Sequence, residues 1–208
     1  MAHLLKIDVS PRGDQSISRR LGNQFVTNWQ KSHTGGQVTT RDLVTSNLPF
    51  VDLPWIAGAY TPVDKHTPEN KAALKISDDL IAELKAADHL LITTPMYNFS
   101  IPAVLKAWID HIVRSGHTFA ITPEGGYKGL IDGKKATVIT TSSGDYGPGA
   151  PAESYDQEIP YLRLILGFLG ITDVTFVRGG GTASISAGKT TADAFTQKLE
   201  PELAAAAS

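Results

Sequence analysis

The alternation of short apolar runs with longer helical patterns constrains this chain more than any other feature. Residues 4–9, 89–93, 136–140 and 174–177 are short runs, apolar or rich in β-branched side chains. Such runs suit strands covered on both faces. Residues 38–43 form a fifth, more polar run, expected at a sheet edge. Helical patterns lie between them. Leu21, Phe25 and Trp29 recur every fourth residue behind Ser16, a good N-cap. Ala73, Ser77, Leu80 and Leu84 follow the helix start Thr67-Pro68-Glu69. Ile101, Leu105, Trp108, Ile109, Ile112 and Val113 share one face of a pattern that runs to Gly116. Lys106, Asp110 and Arg114 line its other side, where they can pair at i,i+4. Residues 160–169 read as an apolar helix stopped by Gly170, and Phe195, Leu199 and Leu203 mark a last helix that frays into an alanine tail.

A strand-helix unit repeated about five times means a parallel sheet with helices on both faces. Right-handed crossovers leave few topologies. Five strands suit the flavodoxin-like order 2-1-3-4-5. With 208 residues and no boundary in composition, residues 1–208 read as a single domain. A net charge of −2 and the lack of any long basic run argue against a nucleic-acid surface. The chain has no cysteine, which excludes disulfides, thiol catalysis and thiolate metal sites. No signal-peptide pattern opens the sequence, and no apolar run approaches the roughly 20 residues of a membrane span. The expectation is a soluble, cytoplasmic protein.

Three loops carry the chemistry. The first follows strand one and contains Ser10, Ser16, Ile17 and Ser18 ahead of a helix. A helix N-terminus offers unpaired N–H groups and partial positive charge, both favouring a phosphate. The same residues also fit an ordinary polar loop with a capping serine. The second loop follows strand three and holds Met96, Tyr97, Asn98 and Phe99. Large apolar side chains beside an amide, at the carboxyl end of a buried strand, suit a flat ligand with a polar edge. The third follows strand four with Thr141, Ser142, Ser143 and Gly144. In the order 2-1-3-4-5 these strands are neighbours, and their loops meet at the switch point between strands one and three. A phosphate-tailed aromatic such as FMN satisfies all three.

Other motifs are weaker. Gly133-Lys134-Lys135 lacks the leading glycine and the final hydroxyl of a phosphate-binding loop. Gly179-Gly180-Gly181-Thr182-Ala183-Ser184 misses the dinucleotide fingerprint and reads as a plain loop. His111 reads as a core or interface residue, and His117 as a candidate contact to substrate or flavin. Residues 44–66 read as a long loop with Phe50, Trp55 and Tyr60, and residues 122–133 as a glycine-rich excursion.

Pro95-Met96-Tyr97-Asn98-Phe99, followed by Leu105-Lys106 and by Gly116 with Thr118-Phe119, resembles the FMN-dependent NADH-azoreductases and related quinone reductases. The resemblance covers nearly the whole chain, including Ser10, Ser16-Ile17-Ser18 and Gly167-Phe168-Leu169-Gly170-Ile171. It implies a homodimer with tightly bound FMN near the interface. It places the phosphate on Ser10 and Ser16 to Ser18, the ring against Met96 to Phe99, and Thr141-Ser142-Ser143-Gly144 at the far side. It also implies NADH or NADPH as donor, quinones and azo compounds as acceptors, and two-electron transfer in a ping-pong cycle. No dedicated catalytic side chain is required; Asn98 tunes the flavin. Pro11-Arg12-Gly13, Ala120-Ile121 and the lack of a basic residue in 141–144 depart from the pattern and bear on donor and substrate preference. The alternative function is a flavodoxin-type electron carrier.

Overall fold

The computed structural model of the chain describes residues 1–208. In chain order its first elements are β1 (His3–Asp8), α1 (Ile17–Ser32), β2 (Gln37–Asp42), α2 (Leu53–Ala59), α3 (Pro68–Ala86), β3 (His89–Pro95) and α4 (Ala103–Ile112). Then come β4 (Phe119–Ile121), β5 (Tyr127–Gly129), β6 (Lys135–Thr141), α5 (Glu158–Leu169), β7 (Asp173–Gly179), α6 (Ala183–Ser186) and α7 (Ala192–Ala206). Five strands pair in parallel in the order β2-β1-β3-β6-β7. The expected numbering 2-1-3-4-5 is corrected by the hairpin of β4 and β5, which forms its own antiparallel sheet. The glycine-rich excursion thus contains two short strands. Gly129 shows why they form there: a Cβ on it would lie 2.3 Å from the Gly170 nitrogen, so the hairpin packs backbone to backbone on the end of α5.

Burial follows strand position. All but the first residue of β1 and of β6, and all but the last of β3, are buried, whereas β2 at the edge has no fully buried residue. Alternate residues face opposite layers. Leu5 and Ile7 join the larger core under α3, α4 and α5; Leu4 joins the smaller core under α1 and α7.

The local signals explain most helix boundaries. Ser16 caps α1, Thr67 and Asn70 form a capping box at α3, and Gly170 at φ 101° ends α5. Four readings change. α4 starts at Ala103 with Pro102 as its cap and stops at Ile112, so Gly116 serves the turn into β4 instead. Lys106 pairs with Asp110 at 2.6 Å, but Arg114 lies beyond the helix, buried against Ser77 and Asp78 of α3. Residues 44–66 contain α2 and a turn of 3-10 helix at Val63–Lys65. The alanine tail is ordered to Ala206, and Ala207 is buried.

Lys6 and Asp8 share the face of β1 that α1 covers, and both are buried. Lys6 Nζ donates to Asp8 Oδ2 (2.9 Å) and Asn23 Oδ1 (2.7 Å), and Thr93 Oγ1 donates to Asp8 Oδ1 (2.7 Å). Arg19 Nη1 lies 3.7 Å from Asp8. α1 approaches closely because of Gly22, where a Cβ would sit 2.4 Å from Thr93 Cγ2. Removing one partner leaves the others charged and buried. Asp8→Ala is therefore expected to cost about 3–5 kcal/mol in urea unfolding. A loss below about 1 kcal/mol would show that the network is not closed to water.

Candidate functional site

The chain leaves β1 towards β2 on one side and reaches β3 on the other, so a crevice opens between the loops after β1 and β3. The first loop is held from below. Arg19 donates through Nε and Nη2 to the Ser10 carbonyl (2.9 and 2.6 Å) and grips both oxygens of Asp42 (2.7 and 2.8 Å). That hydrogen-bonded pairing lowers the Asp42 pKa below the usual carboxylate range and raises that of Arg19. Ser10 Oγ accepts from the Arg12 N–H at 3.3 Å. Ser16 Oγ accepts from the Arg19 N–H at 3.3 Å and lies 3.1 Å from Ser18 Oγ. All three serines are buried. The N–H groups of Ile17 and Ser18 find no acceptor in the chain.

The second loop is a tight turn. Tyr97 N donates to Ser100 O (2.9 Å), Ser100 N donates back to Tyr97 O (3.0 Å), and the two central residues have positive φ: Asn98 at 48° and Phe99 at 71°. Asparagine tolerates this region; a phenylalanine there is strained by about 1 kcal/mol or more. The geometry leaves the Asn98 and Phe99 N–H groups without acceptors. Gln157 N holds the Phe99 carbonyl (2.9 Å), and the Phe99 ring packs edge-on against Tyr146 at 5.9 Å and tilted against Tyr155 at 5.3 Å.

The third loop is tied to the second by Met96 N donating to Thr141 O (2.7 Å). It is also tied to the glycine-rich segment after β7. Thr182 donates to Ser142 O through N and Oγ1, both at 3.0 Å, and Gly181 N donates to Gly144 O (2.9 Å). That segment was read as a plain loop. Its Thr182 lines the crevice, and the signal was present in the run of three glycines, which lets backbone approach backbone.

Ser10, Ser16, Ile17, Met96, Tyr97, Thr141, Ser142 and Ser143 line one cavity of about 100 Å³, with Arg12, Pro95 and Thr182. Ser18 lies beneath it, Asn98 and Phe99 are exposed at its side, and Gly144 takes part through its backbone. His117 is not in this crevice. It accepts from Arg114 (2.9 Å) and lines a separate cavity of about 600 Å³ by α2 and the hairpin, its pKa lowered by burial and by Arg114. His111 is buried, with Nε2 2.8 Å from Pro49 O. A polar groove of about 870 Å³ between α1 and α7 has no hydrophobic lining residue. Arg20 and Asp193 on its walls pair with each other.

Two charged residues behind the turn were missed. Arg178 at the end of β7 pairs with Asp156 at 2.8 Å and lines a small cavity with Met96 and Ser142. It supplies a cation near the loop that lacks one. Glu158 is fully buried, and burial pushes its carboxyl up to about 8, a rise that Thr94 and Arg178 only partly oppose. An acidic residue in a helix's first turn usually reads as solvated, so the sequence held no signal for it.

A five-stranded parallel sheet in this order, with helices on both faces, defines a flavodoxin-like α/β fold. The family model described as flavodoxin-like fold matches residues 2–203, and the chain belongs to that family. It is 54% identical over 178 residues to FMN-dependent NADH:quinone oxidoreductase 2 of Trichormus variabilis, covering 85% of this chain and 86% of that one. It is 48% identical over 207 residues to FMN-dependent NADH:quinone oxidoreductase 2 of Jannaschia sp., covering both chains fully. Among solved structures it resembles the FMN-dependent NADH-azoreductase from Bacillus anthracis str. Ames Ancestor in complex with FMN. The TM-score is 0.85 at 25% identity, with 99% of this chain and 97% of that one covered.

The turn yields a stability test. At an ordinary position Ala is more stable than Gly. At residue 99 the left-handed backbone reverses the order. Phe99→Gly is expected to unfold about 1 kcal/mol later than Phe99→Ala in denaturant titrations; equal or inverted stabilities would contradict the strained turn.

Proposed function

We propose that residues 1–208 form one FMN-binding domain that acts as an NADH:quinone oxidoreductase and also reduces azo compounds. The observation that carries this reading is the placement of two pairs of unpaired backbone donors at one crevice. The pair at Ile17 and Ser18 opens α1; the pair at Asn98 and Phe99 follows β3.

The residues fit FMN. The cavity of about 100 Å³ suits a phosphate and the start of its chain, and is small for a whole cofactor. The Ile17 and Ser18 N–H groups, the α1 dipole and the exposed Arg12 favour a dianion there. Ser10, Ser16 and Ser18 set the shape of the loop. Met96 and Tyr97 offer apolar surface to a ring, and Thr141, Ser142, Ser143 and Gly144 close the other side. The Asn98 and Phe99 N–H groups then meet the polar edge of the ring, where partial positive charge stabilises what reduction adds. Bound there, FMN supplies two-electron redox chemistry between NADH or NADPH and an acceptor. The chain's part is to bind, orient and tune, and no acid–base side chain is assigned. The relatives' names speak for an oxidoreductase over a carrier.

Phe50, Leu53, Tyr60 and Val63 with Ile121 and Tyr127 expose apolar side chains. We read this band as the contact of a homodimer. A cytoplasmic setting agrees with the cysteine-free sequence.

Anaerobic mixing with NADH tests the function. The FMN-loaded protein is expected to bleach in one two-electron step and to recover colour on adding a quinone. Protein that holds FMN but ignores both NADH and NADPH would point to a carrier. Asn98→Ala keeps the backbone N–H and removes the side-chain amide beside the ring's polar edge; it is expected to weaken FMN binding or slow its reduction roughly tenfold, the loss of about one hydrogen bond. Unchanged affinity and rate would remove the Asn98 side chain from the site.

A further inference from the structure

We propose that Glu158 is a positioning residue for the Tyr97–Ser100 turn, acting through Thr94 at the end of β3. The inference rests on the flavin reading for its consequence and on geometry for its substance. Glu158 and Thr94 are both fully buried. Thr94 Oγ1 lies 3.1 Å from Glu158 Oε1 and 3.3 Å from the Pro95 carbonyl oxygen. A threonine hydroxyl carries one proton and cannot donate to both. A neutral Glu158 resolves the conflict: its O–H donates to Thr94, and Thr94 donates to Pro95 O. The last peptide before Met96 is then fixed from behind. The neighbouring Gln157 N–H, just before α5, holds the Phe99 carbonyl at 2.9 Å, so the start of α5 contacts both the approach to the turn and its centre.

The surroundings favour the neutral acid. Glu158 Oε2 has no partner in the protein, which a buried carboxylate tolerates far less well than a carboxylic acid. The charged groups facing it are Asp156, before α5, and Arg178, on β7. They pair with each other at 2.8 Å, and Asp156 Oδ1 also accepts from the Glu158 and Ile159 N–H groups. The nearest cation is thereby committed. The carboxyl ionises at about 8 in the folded chain and near 4.5 when exposed. Folding stability from this group is complete below 4.5 and declines as pH rises to about 8. The grip on Pro95 is lost as pH passes through the upper value. Ionised Glu158 accepts the Thr94 hydroxyl's hydrogen bond, which draws it away from the Pro95 carbonyl.

Glu158→Gln provides the decisive variant, because its amide donates to Thr94 at every pH. The first readout is the pair of Asn98 and Phe99 amide resonances in the FMN-free chain. They are expected to shift with a midpoint near 8 in the parent and to stay flat in Glu158→Gln. The second is FMN affinity. The parent is expected to weaken roughly tenfold by about pH 9, while Glu158→Gln keeps its neutral-pH affinity. Thr94→Val is expected to abolish the shift even with Glu158 present. An alkaline transition shared by parent and Glu158→Gln overturns the proposal, since another group would then own it. If no variant binds FMN at any pH, the flavin reading fails, and the amide titration still decides whether Glu158 positions the turn.

Discussion

The ion network of buried Lys6 and Asp8 with half-buried Arg19 and Asp42 is the interaction on which the crevice depends. It joins β1, β2 and α1, with Thr93 adding β3, at the end of the sheet where the ligand-facing loops emerge. Its charges balance, and each buried oxygen has a donor, which is the condition under which burying them is tolerable. Arg19 does a second job by holding the Ser10 carbonyl. The first loop is therefore set before any ligand arrives, and the α1 N-terminus presents its free N–H groups at fixed positions. Preorganised donors lose little on binding, which under the proposed function favours an anion even in a weakly enclosed crevice.

The second constraint is strain. A turn with Phe99 at positive φ persists only because neighbours over-determine it. Met96 is tied to Thr141, Phe99 to Gln157, and Thr94 to Glu158, so β6 and α5 both contribute. The turn leaves the Asn98 and Phe99 N–H groups without an acceptor in the chain. Local cost and ligand-directed geometry thus sit in the same four residues.

Much of this was readable in the sequence, for physical reasons. Strands buried on both faces announce themselves as apolar runs, so 89–93 and 136–140 marked β3 and β6 within a residue or two. Helices with capping residues, such as α1 behind Ser16, were equally plain. The loops after three strands could be named because they follow from element order alone. What failed depends on distant partners. Arg114 fits a helical stripe by spacing, yet Asp78 and Ser77 draw it off the helix. β4 and β5 have only three residues each and owe their existence to the end of α5. Glu158 carries the residue type of a solvated helix start, and nothing in its neighbours reveals that β3 and β7 bury it.

The most direct measurement is a crystal structure of the chain with FMN. The expected result places the phosphate within hydrogen-bond reach of the Ile17 and Ser18 N–H groups and the polar edge of the ring at the Asn98 and Phe99 N–H groups. A phosphate bound elsewhere, such as the polar groove between α1 and α7, would contradict the account.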